Sequence, residues 1–316
     1  MVGQPWSEGR TAQGLSLCEK NGFLGTCLHW RPIMIELIHI TNDPAMAQRC
    51  DALGGFRLLV DLEHRGKAER QAGRDTHLST HQPSDVGLVR AALTRSRLMV
   101  RLNPWYDGSV AEIEQALAQG ADLLMLPMFE RAQELRLFCD AVGGRAGVVA
   151  LLETMGALNT LDHWVDTPGL QEIYVGLNDL HISAGLHFMF EPLALGWLDR
   201  VAHAAQARGL NFGFGGIARM SDGLLTGRDV LAEHLRLGSG SVILSRTFHR
   251  QQDTVGFAQS VNELRETELA LQARSPVQIE ADQQQSAETI RHIATQIAAR
   301  DAQQPSQQTA KLVPRP

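Results

Sequence analysis

The chain has 316 residues, of which 44% are hydrophobic, 20% charged and 5% aromatic, as in a globular protein of one large or two small domains. Its 29 basic and 35 acidic residues give a net charge of −6, which argues against nucleic acid or an anionic membrane as a partner. No apolar run approaches the ~18 residues of a membrane-spanning helix. The four cysteines lack CxxC spacing, which argues against a disulfide framework or a zinc site and favours a cytoplasmic location.

The two ends of the chain differ from its middle. Residues 1–33 show no helical or strand period and no signal-peptide pattern, so we interpret them as a poorly ordered or non-native extension. Residues 273–316 form a polar tail rich in Gln and Ala. Within that tail, residues 286–300 place three isoleucines at helical spacing and predict one exposed amphipathic helix. The folded domain is therefore predicted over residues 34–272.

Eight short apolar runs alternate with amphipathic stretches in this middle part. Each run is apolar at nearly every position, which is typical of parallel strands buried on both faces. The runs are IELIHIT (35–41), FRLLVDLE (56–63), RLMVRLNP (97–104), ADLLMLPMF (121–129), AGVVALLET (146–154), EIYVGLNDL (172–180), LNFGFGGIA (210–218) and SVILSRTF (241–248). Eight such units favour a single (β/α)8 TIM barrel over a doubly wound sheet, and no GxGxxG follows the first run.

Two helix starts are marked by their sequence. Asp43 followed by Pro44 is typical of a cap residue and the first position of a helix. Ser109 and Glu112 have the spacing of a capping box, which predicts a second helix start.

Polar residues collect where the predicted strands end, which is where a TIM barrel builds its active site. Glu153 and Asp179 are expected at the same level on adjacent strands, so their carboxylates could share one Mg²⁺ or Mn²⁺ ion. Alternatively, they cap the helices that follow or pair with Arg101. The guanidinium of Arg101 could clamp a carboxylate or stabilise an enolate oxygen, or it could form a structural ion pair with Asp61 or Glu63.

Two further strand ends are open to more than one interpretation. His64 could act as a general base beside a metal, or it could be a solvated loop residue near Arg65 and Lys67. Gly215 and Gly216 are similar to the glycines that let backbone N–H groups approach a phosphate after the seventh strand of many barrels. The matching glycines near the eighth strand precede it, so the phosphate pattern is only half present.

Five segments, in order, resemble the HpcH/HpaI aldolase and citrate lyase β-subunit family of (β/α)8 barrels. They are LLVDLEH (58–64), MVRLNP (99–104), GADLLMLPMF (120–129), VVALLETMGALN (148–159) and IYVGLNDL (173–180). The resemblance implies metal-dependent carbon–carbon lyase chemistry on a 2-oxo-4-hydroxy acid through a pyruvate enolate, in an oligomer such as a trimer or hexamer. By analogy, a helix over residues 255–272 would pack on a neighbouring subunit.

The strand-end positions and the resemblance together define the predicted site. Its catalytic residues are Arg101, His64 and Glu63, its metal ligands are Glu153 and Asp179, and its substrate-binding residues are Asp61, Asn103, Pro127, Gly215 and Gly216. His64 takes the role of the base in the aldolase branch.

Other features of the sequence leave alternatives open. Lys67 and Arg70 resemble the basic residues of the citrate lyase branch, whose members act on CoA thioesters. The stretch HFMFEPLALG matches neither branch. A CoA-thioester lyase is therefore the second hypothesis. A barrel that binds a metabolite without turning it over is the third.

Overall fold

Eight parallel strands close into a barrel in the computed structural model, which describes residues 34–66, 80–248 and 254–303. The strands are β1 (Glu36–Ile40), β2 (Phe56–Asp61), β3 (Arg97–Arg101), β4 (Leu123–Leu126), β5 (Gly147–Leu152), β6 (Leu170–Val175), β7 (Asn211–Ile217) and β8 (Ser241–Leu244). Each strand pairs with the next, and β8 pairs with β1. The predicted (β/α)8 fold is confirmed.

Helices follow the strands along the chain, and the last two come after β8. They are α1 (Pro44–Leu53), α2 (Pro83–Ala91), α3 (Ser109–Ala118), α4 (Ala132–Val142), α5 (Met155–Asn159), α6 (Leu161–Trp164), α7 (Leu177–Ser183), α8 (Glu191–Ala194), α9 (Trp197–Gln206), α10 (Gly227–Arg236), α11 (Thr254–Gln272) and α12 (Pro276–Gln303). No helix in the described part of the chain is long and apolar enough to cross a membrane.

The strands are apolar on both faces because alternate residues enter two different cores. One set packs inside the barrel and the other set packs against the helices. The inward set consists of Ile38, Leu59, Met99, Leu123, Met125, Val149, Leu151 and Tyr174. This filled interior leaves the carboxyl ends of the strands as the place where polar groups can surround a substrate.

The opposite end of the barrel is filled by a buried charge network. Arg57, only 2% exposed, forms an ion pair with Glu36 and donates to Oε2 of Glu172 at 2.8 Å. The hydroxyl of Ser241 donates to the other oxygen of Glu172, also at 2.8 Å. These bonds satisfy the carboxylate of Glu172, a completely buried residue of β6.

Both predicted helix starts are confirmed, but only the first one has the predicted side-chain cap. Asp43 caps α1, because its Oδ1 accepts a hydrogen bond from the N–H of Ala45 at 2.9 Å. Ser109 is already the first residue of α3, and its hydroxyl accepts from the N–H of Tyr106 at 2.9 Å. Glu112 does not complete a capping box because its carboxylate accepts from Tyr106 and from the side chain of Asn103.

The C-terminal region forms a longer helix than the amphipathic stretch 286–300 predicts. Helix α12 begins ten residues earlier and packs against α8 and α10. Ile290 and Ile293 are 1% and 8% exposed, so the expectation of an exposed helix is wrong. The apolar stripe is buried because neighbouring helices offer it an apolar surface. The predicted extension, residues 1–33, lies outside the described residues.

Candidate active site

A cavity of about 190 Å³ lies at the carboxyl ends of the strands. Its polar lining comes from different strand ends, as the sequence predicts for a barrel mouth. The polar side chains of the lining belong to Arg101, Glu153, Tyr174, Asn178 and Asp179, and its glycines are Gly176, Gly215 and Gly216. The barrel therefore brings both predicted metal ligands, one predicted catalytic residue and two predicted substrate-binding residues into one space.

Glu153 follows β5 directly and lies at the base of this cavity. Its side chain is 3% exposed, and its Oε1 accepts the backbone N–H of Met128 at 3.1 Å. Met128 has a positive φ of 53°, a conformation that is uncommon for a residue with a side chain. A Cβ atom at Gly176 would lie 2.6 Å from Oε2 of Glu153, so the neighbouring chain must pass this carboxylate without a side chain.

Asp179 reaches the cavity from a helix rather than from a strand. Strand β6 ends at Val175, which pairs with Leu152, and Asp179 lies in the first turn of α7. The predicted placement at a strand end is therefore wrong, because residues 177–183 turn into a helix directly after Gly176. The helix still directs Asp179 into the same cavity as Glu153.

The electrostatic environment of Glu153 disfavours its charged form. Burial and the nearby negative charges of Asp179 and Glu63 raise the pKa of Glu153 well above its usual range, although Arg101 and the Met128 N–H act in the opposite direction. Neither carboxylate forms the helix cap that the sequence left as an alternative for both. Thr154 caps α5 by accepting from the N–H of Ala157, and α7 begins after Gly176 without a side-chain cap.

Arg101 is held at the cavity wall by two hydrogen bonds to Asp61. Its Nε donates to Oδ1 at 2.8 Å and its Nη2 to Oδ2 at 2.7 Å, while Nη1 lies 3.5 Å from Glu63. Burial opposes the charge of the guanidinium, but Asp61 and Glu63 outweigh that effect and raise the pKa of Arg101. The ion-pair alternative is thus what the structure shows, and Arg101 nevertheless lines the cavity.

The donor set in the cavity fits a divalent cation. Two mutually repelling carboxylates, one of them buried, are stabilised when a cation lies between them. Mg²⁺ commonly uses one or two protein carboxylates and keeps several water molecules. Within the described ranges no group of three or more His, Cys, Asp or Glu residues is arranged to hold an ion, so Glu153 and Asp179 would supply two ligands and leave the others open.

His64 and Asn103 line a second cavity, of about 180 Å³, which shares no lining residue with the first one. The side chain of His64 is exposed, and its backbone N–H donates to Oδ1 of Asn103 at 2.9 Å. The N–H of Arg65 donates to the same oxygen, and Nδ2 of Asn103 donates to Glu112. Asn103 therefore anchors the turn after β2, and the structure does not bring His64 into the cavity that holds Glu153.

The remaining predicted residues are not in the described lining of the first cavity, although Asp61 and Glu63 form ion pairs with Arg101, which lines it. Pro127 is buried after β4, whereas Lys67 and Arg70 lie outside the described residues. Nδ1 of His81 accepts the backbone N–H of Asp61 at 3.0 Å.

Tyr174 is a residue of the cavity that sequence reasoning missed. Its hydroxyl donates to the carbonyl oxygen of Gly215 at 2.6 Å and accepts from the N–H of Ile243 at 2.8 Å. The pairing of β7 and β8 is irregular between Gly213 and Gly216, and the tyrosine hydroxyl bridges that interruption. A tyrosine inside an apolar strand is predicted to be a core residue, so no local sequence pattern indicates this role.

Comparison with known proteins agrees with the fold. A family model described as HpcH/HpaI aldolase/citrate lyase matches residues 37–217. An HpcH/HpaI aldolase from Desulfitobacterium hafniense DCB-2 superposes with a TM-score of 0.54 at 16% identity, over 72% of this chain and 93% of that chain. An HpcH/HpaI aldolase/citrate lyase family protein from Burkholderia cenocepacia J2315 superposes with a TM-score of 0.53 at 17% identity, over 73% of this chain and 95% of that chain. The citrate synthase SbnG superposes with a TM-score of 0.54 at 16% identity, over 73% of this chain and 95% of that chain. No curated protein matches the chain.

Proposed function

Since the chain belongs to the HpcH/HpaI aldolase/citrate lyase family, we propose that it is a divalent-metal-dependent carbon–carbon lyase that cleaves or forms a 2-oxo-4-hydroxy acid. The observation that carries the proposal is the common cavity of Glu153, Asp179 and Arg101 at the carboxyl end of the barrel. Two carboxylates and a guanidinium suit a reaction that develops negative charge beside a carbonyl group.

Glu153 and Asp179 would hold the ion, which when bound supplies a Lewis acid for the 2-oxo group of the substrate. The Met128 N–H keeps the carboxylate of Glu153 oriented, since it donates to Oε1. Arg101, fixed by Asp61, presents a positive charge to the oxygen on which negative charge develops.

Cleavage begins with loss of the proton from the hydroxyl group on C4 of the substrate. The C3–C4 bond then breaks, an aldehyde leaves, and the electron pair of that bond spreads over C3 and the 2-oxo oxygen as the pyruvate enolate. Protonation of C3 completes the pyruvate methyl group. Synthesis follows the same steps in reverse. The role of Arg101 is to lower the energy of the enolate by its charge, without forming a covalent bond to the substrate.

We assign the base to Glu63 rather than to His64. The carboxylate of Glu63 lies 3.5 Å from Arg101, which lines the cavity, and it acts electrostatically on Glu153, whereas His64 lines a different cavity. The variants Glu63→Gln and His64→Gln separate the two roles. A larger fall of kcat in Glu63→Gln supports the carboxylate, and a larger fall in His64→Gln assigns the base to the imidazole.

The first experiment is exchange of the pyruvate methyl protons in D₂O, followed by NMR with added Mg²⁺. We expect exchange in the wild type and a loss of about 100-fold in Glu153→Gln and Asp179→Asn. Asp162→Asn is the matched control, because Asp162 is 71% exposed and lies outside the described lining of the cavity. Treatment with a chelator should abolish exchange, and Mg²⁺ should restore it. Undiminished exchange after chelation would contradict the proposal.

The same experiment with acetyl-CoA tests the second hypothesis. Exchange of the acetyl protons, without exchange into pyruvate, would assign the protein to the CoA-thioester lyases. Exchange into neither compound would favour a barrel that binds a metabolite without turnover.

A further inference from the structure

The segment between α7 and α8 places a methionine in the wall of the active-site cavity. This segment contains HFMFE, residues 187–191, which matches neither branch of the family by sequence. Met189 is half-buried and lines the same cavity as Glu153 and Asp179.

Two aromatic rings hold Met189 in this position. Phe188 and Phe190, on either side of it, are 7% and 8% exposed and pack edge to face with ring centroids 5.4 Å apart. The backbone N–H groups of His187 and Phe188 donate to Oε2 of Glu191 at 2.7 and 2.6 Å. With both neighbours anchored in the core and the backbone tied to Glu191, the methionine is held in place against the cavity.

Met189 is part of an apolar wall. Leu177, Leu151, Ile40 and Ile243 contribute to the same lining. The charged side chains among the described lining residues are Glu153, Asp179 and Arg101, and the guanidinium is already bound to Asp61.

This wall discriminates between possible second reactants. A carboxylate placed against thioether and aliphatic groups would lose hydration without a compensating charge. An aliphatic substituent in the same place would instead gain from leaving water. Methionine adapts well to such a role because its side chain is flexible and polarisable.

We propose that Met189 is a specificity-determining residue that selects an uncharged aldehyde with an aliphatic substituent as the partner of pyruvate. The proposal rests on the proposed function, since it concerns the second reactant of that reaction. The aldehyde released on cleavage, or consumed in synthesis, is then neutral. The corresponding 2-oxo-4-hydroxy acid carries a single carboxylate, the one that comes from pyruvate.

The test uses two acceptors of the same size with pyruvate and Mg²⁺. They are 4-methylpentanal, which ends in two methyl groups, and succinic semialdehyde, which ends in a carboxylate. We expect the wild type to favour 4-methylpentanal by about tenfold or more in kcat/KM. Met189→Lys should shift that ratio toward succinic semialdehyde by about tenfold, because the ammonium supplies the missing charge. Met189→Ala should lower kcat/KM for 4-methylpentanal by about tenfold with less effect on succinic semialdehyde.

Met46→Ala is the control, since Met46 is a partly buried methionine on α1 outside the described lining of the cavity. It should leave the ratio unchanged. Exchange of the pyruvate methyl protons is measured on each variant to show that the donor half of the site is intact.

The outcomes separate the two proposals. Absence of exchange in the wild type overturns the proposed function and this inference with it. Normal exchange together with a preference for succinic semialdehyde, or with a ratio that Met189→Lys does not move, overturns the inference alone.

Discussion

Asp61 and Arg101 form a two-point contact that places the guanidinium in the cavity wall, with Nε–Oδ1 and Nη2–Oδ2 distances of 2.8 and 2.7 Å. The contact joins the last residues of two neighbouring strands, since Asp61 pairs with Arg101 in the β2–β3 register. Asp61 is 3% exposed and Arg101 is largely buried, so water competes little for these bonds. The orientation of Arg101 therefore depends on Asp61.

Replacing Asp61 by Asn should lower kcat by about 10- to 100-fold, because an amide cannot accept both bonds and Arg101 turns toward Glu63. Steady-state kinetics with pyruvate and 4-methylpentanal measure the effect. Glu114→Gln is the control, since it breaks a two-point contact with Arg145 of similar geometry on the surface. Equal kcat in Asp61→Asn and wild type would show that Arg101 does not need this partner.

Tyr174→Phe should raise the KM for pyruvate by about tenfold and change kcat less. Loss of the hydroxyl leaves the N–H of Ile243 and the carbonyl of Gly215 without their partner, so the β7–β8 wall of the cavity moves. Ser241→Ala removes a buried hydroxyl from the other end of the barrel and serves as the control. Both variants should lower the melting temperature, but only Tyr174→Phe should change KM. A KM that matches the wild type would refute a role in binding.

Arg57→Met should lower the free energy of unfolding by about 3–5 kcal/mol, because the buried Glu172 loses its cation. Combining it with Glu172→Gln should restore part of that loss, since the uncompensated charge disappears. Denaturant unfolding of the single and double variants gives the coupling between the two residues. Additive losses would mean that the pair is not coupled.

His234 should make stability depend on pH. Burial lowers the pKa of His234 to about 3, and its ring stacks on Phe214 with centroids 3.7 Å apart. In the unfolded chain its pKa is about 6.5, so only the unfolded state takes up this proton between those values. The contribution of the neutral His234 to the free energy of unfolding is complete above about pH 6.5. It is lost as the pH falls toward 3, by up to about 1.4 kcal/mol per pH unit.

The free energy of unfolding at pH 7 and pH 5 tests this dependence. The free energy of unfolding of His234→Gln should fall less between pH 7 and pH 5 than that of the wild type, because one proton is no longer taken up on unfolding. His203→Gln, at an exposed position on α9, should retain a steeper dependence than His234→Gln. Parallel stability curves for His234→Gln and the wild type would contradict the assignment.

Local patterns were sufficient for the strands, for the Asp43 cap and for the order of the polar strand ends. Parallel strands buried on two faces must be apolar along their whole length, and this property is visible in any single strand. Eight such units then favour a closed barrel over a doubly wound sheet, which usually has five or six strands. Convergence of Glu153 and Arg101 on one cavity follows from the fold.

Only the tertiary structure decided which way side chains near the mouth point and what they contact. His64 follows a strand end yet lines a different cavity, because Asn103 binds the backbone of its turn. Tyr174 and Met189 read as core residues in the sequence and become cavity residues only when the barrel closes. The direction in which a side chain points depends on contacts with residues distant in the chain. The alternation of buried and exposed positions along a strand or helix depends on residues close in the chain, so the sequence by itself predicts this alternation but not the direction of a side chain.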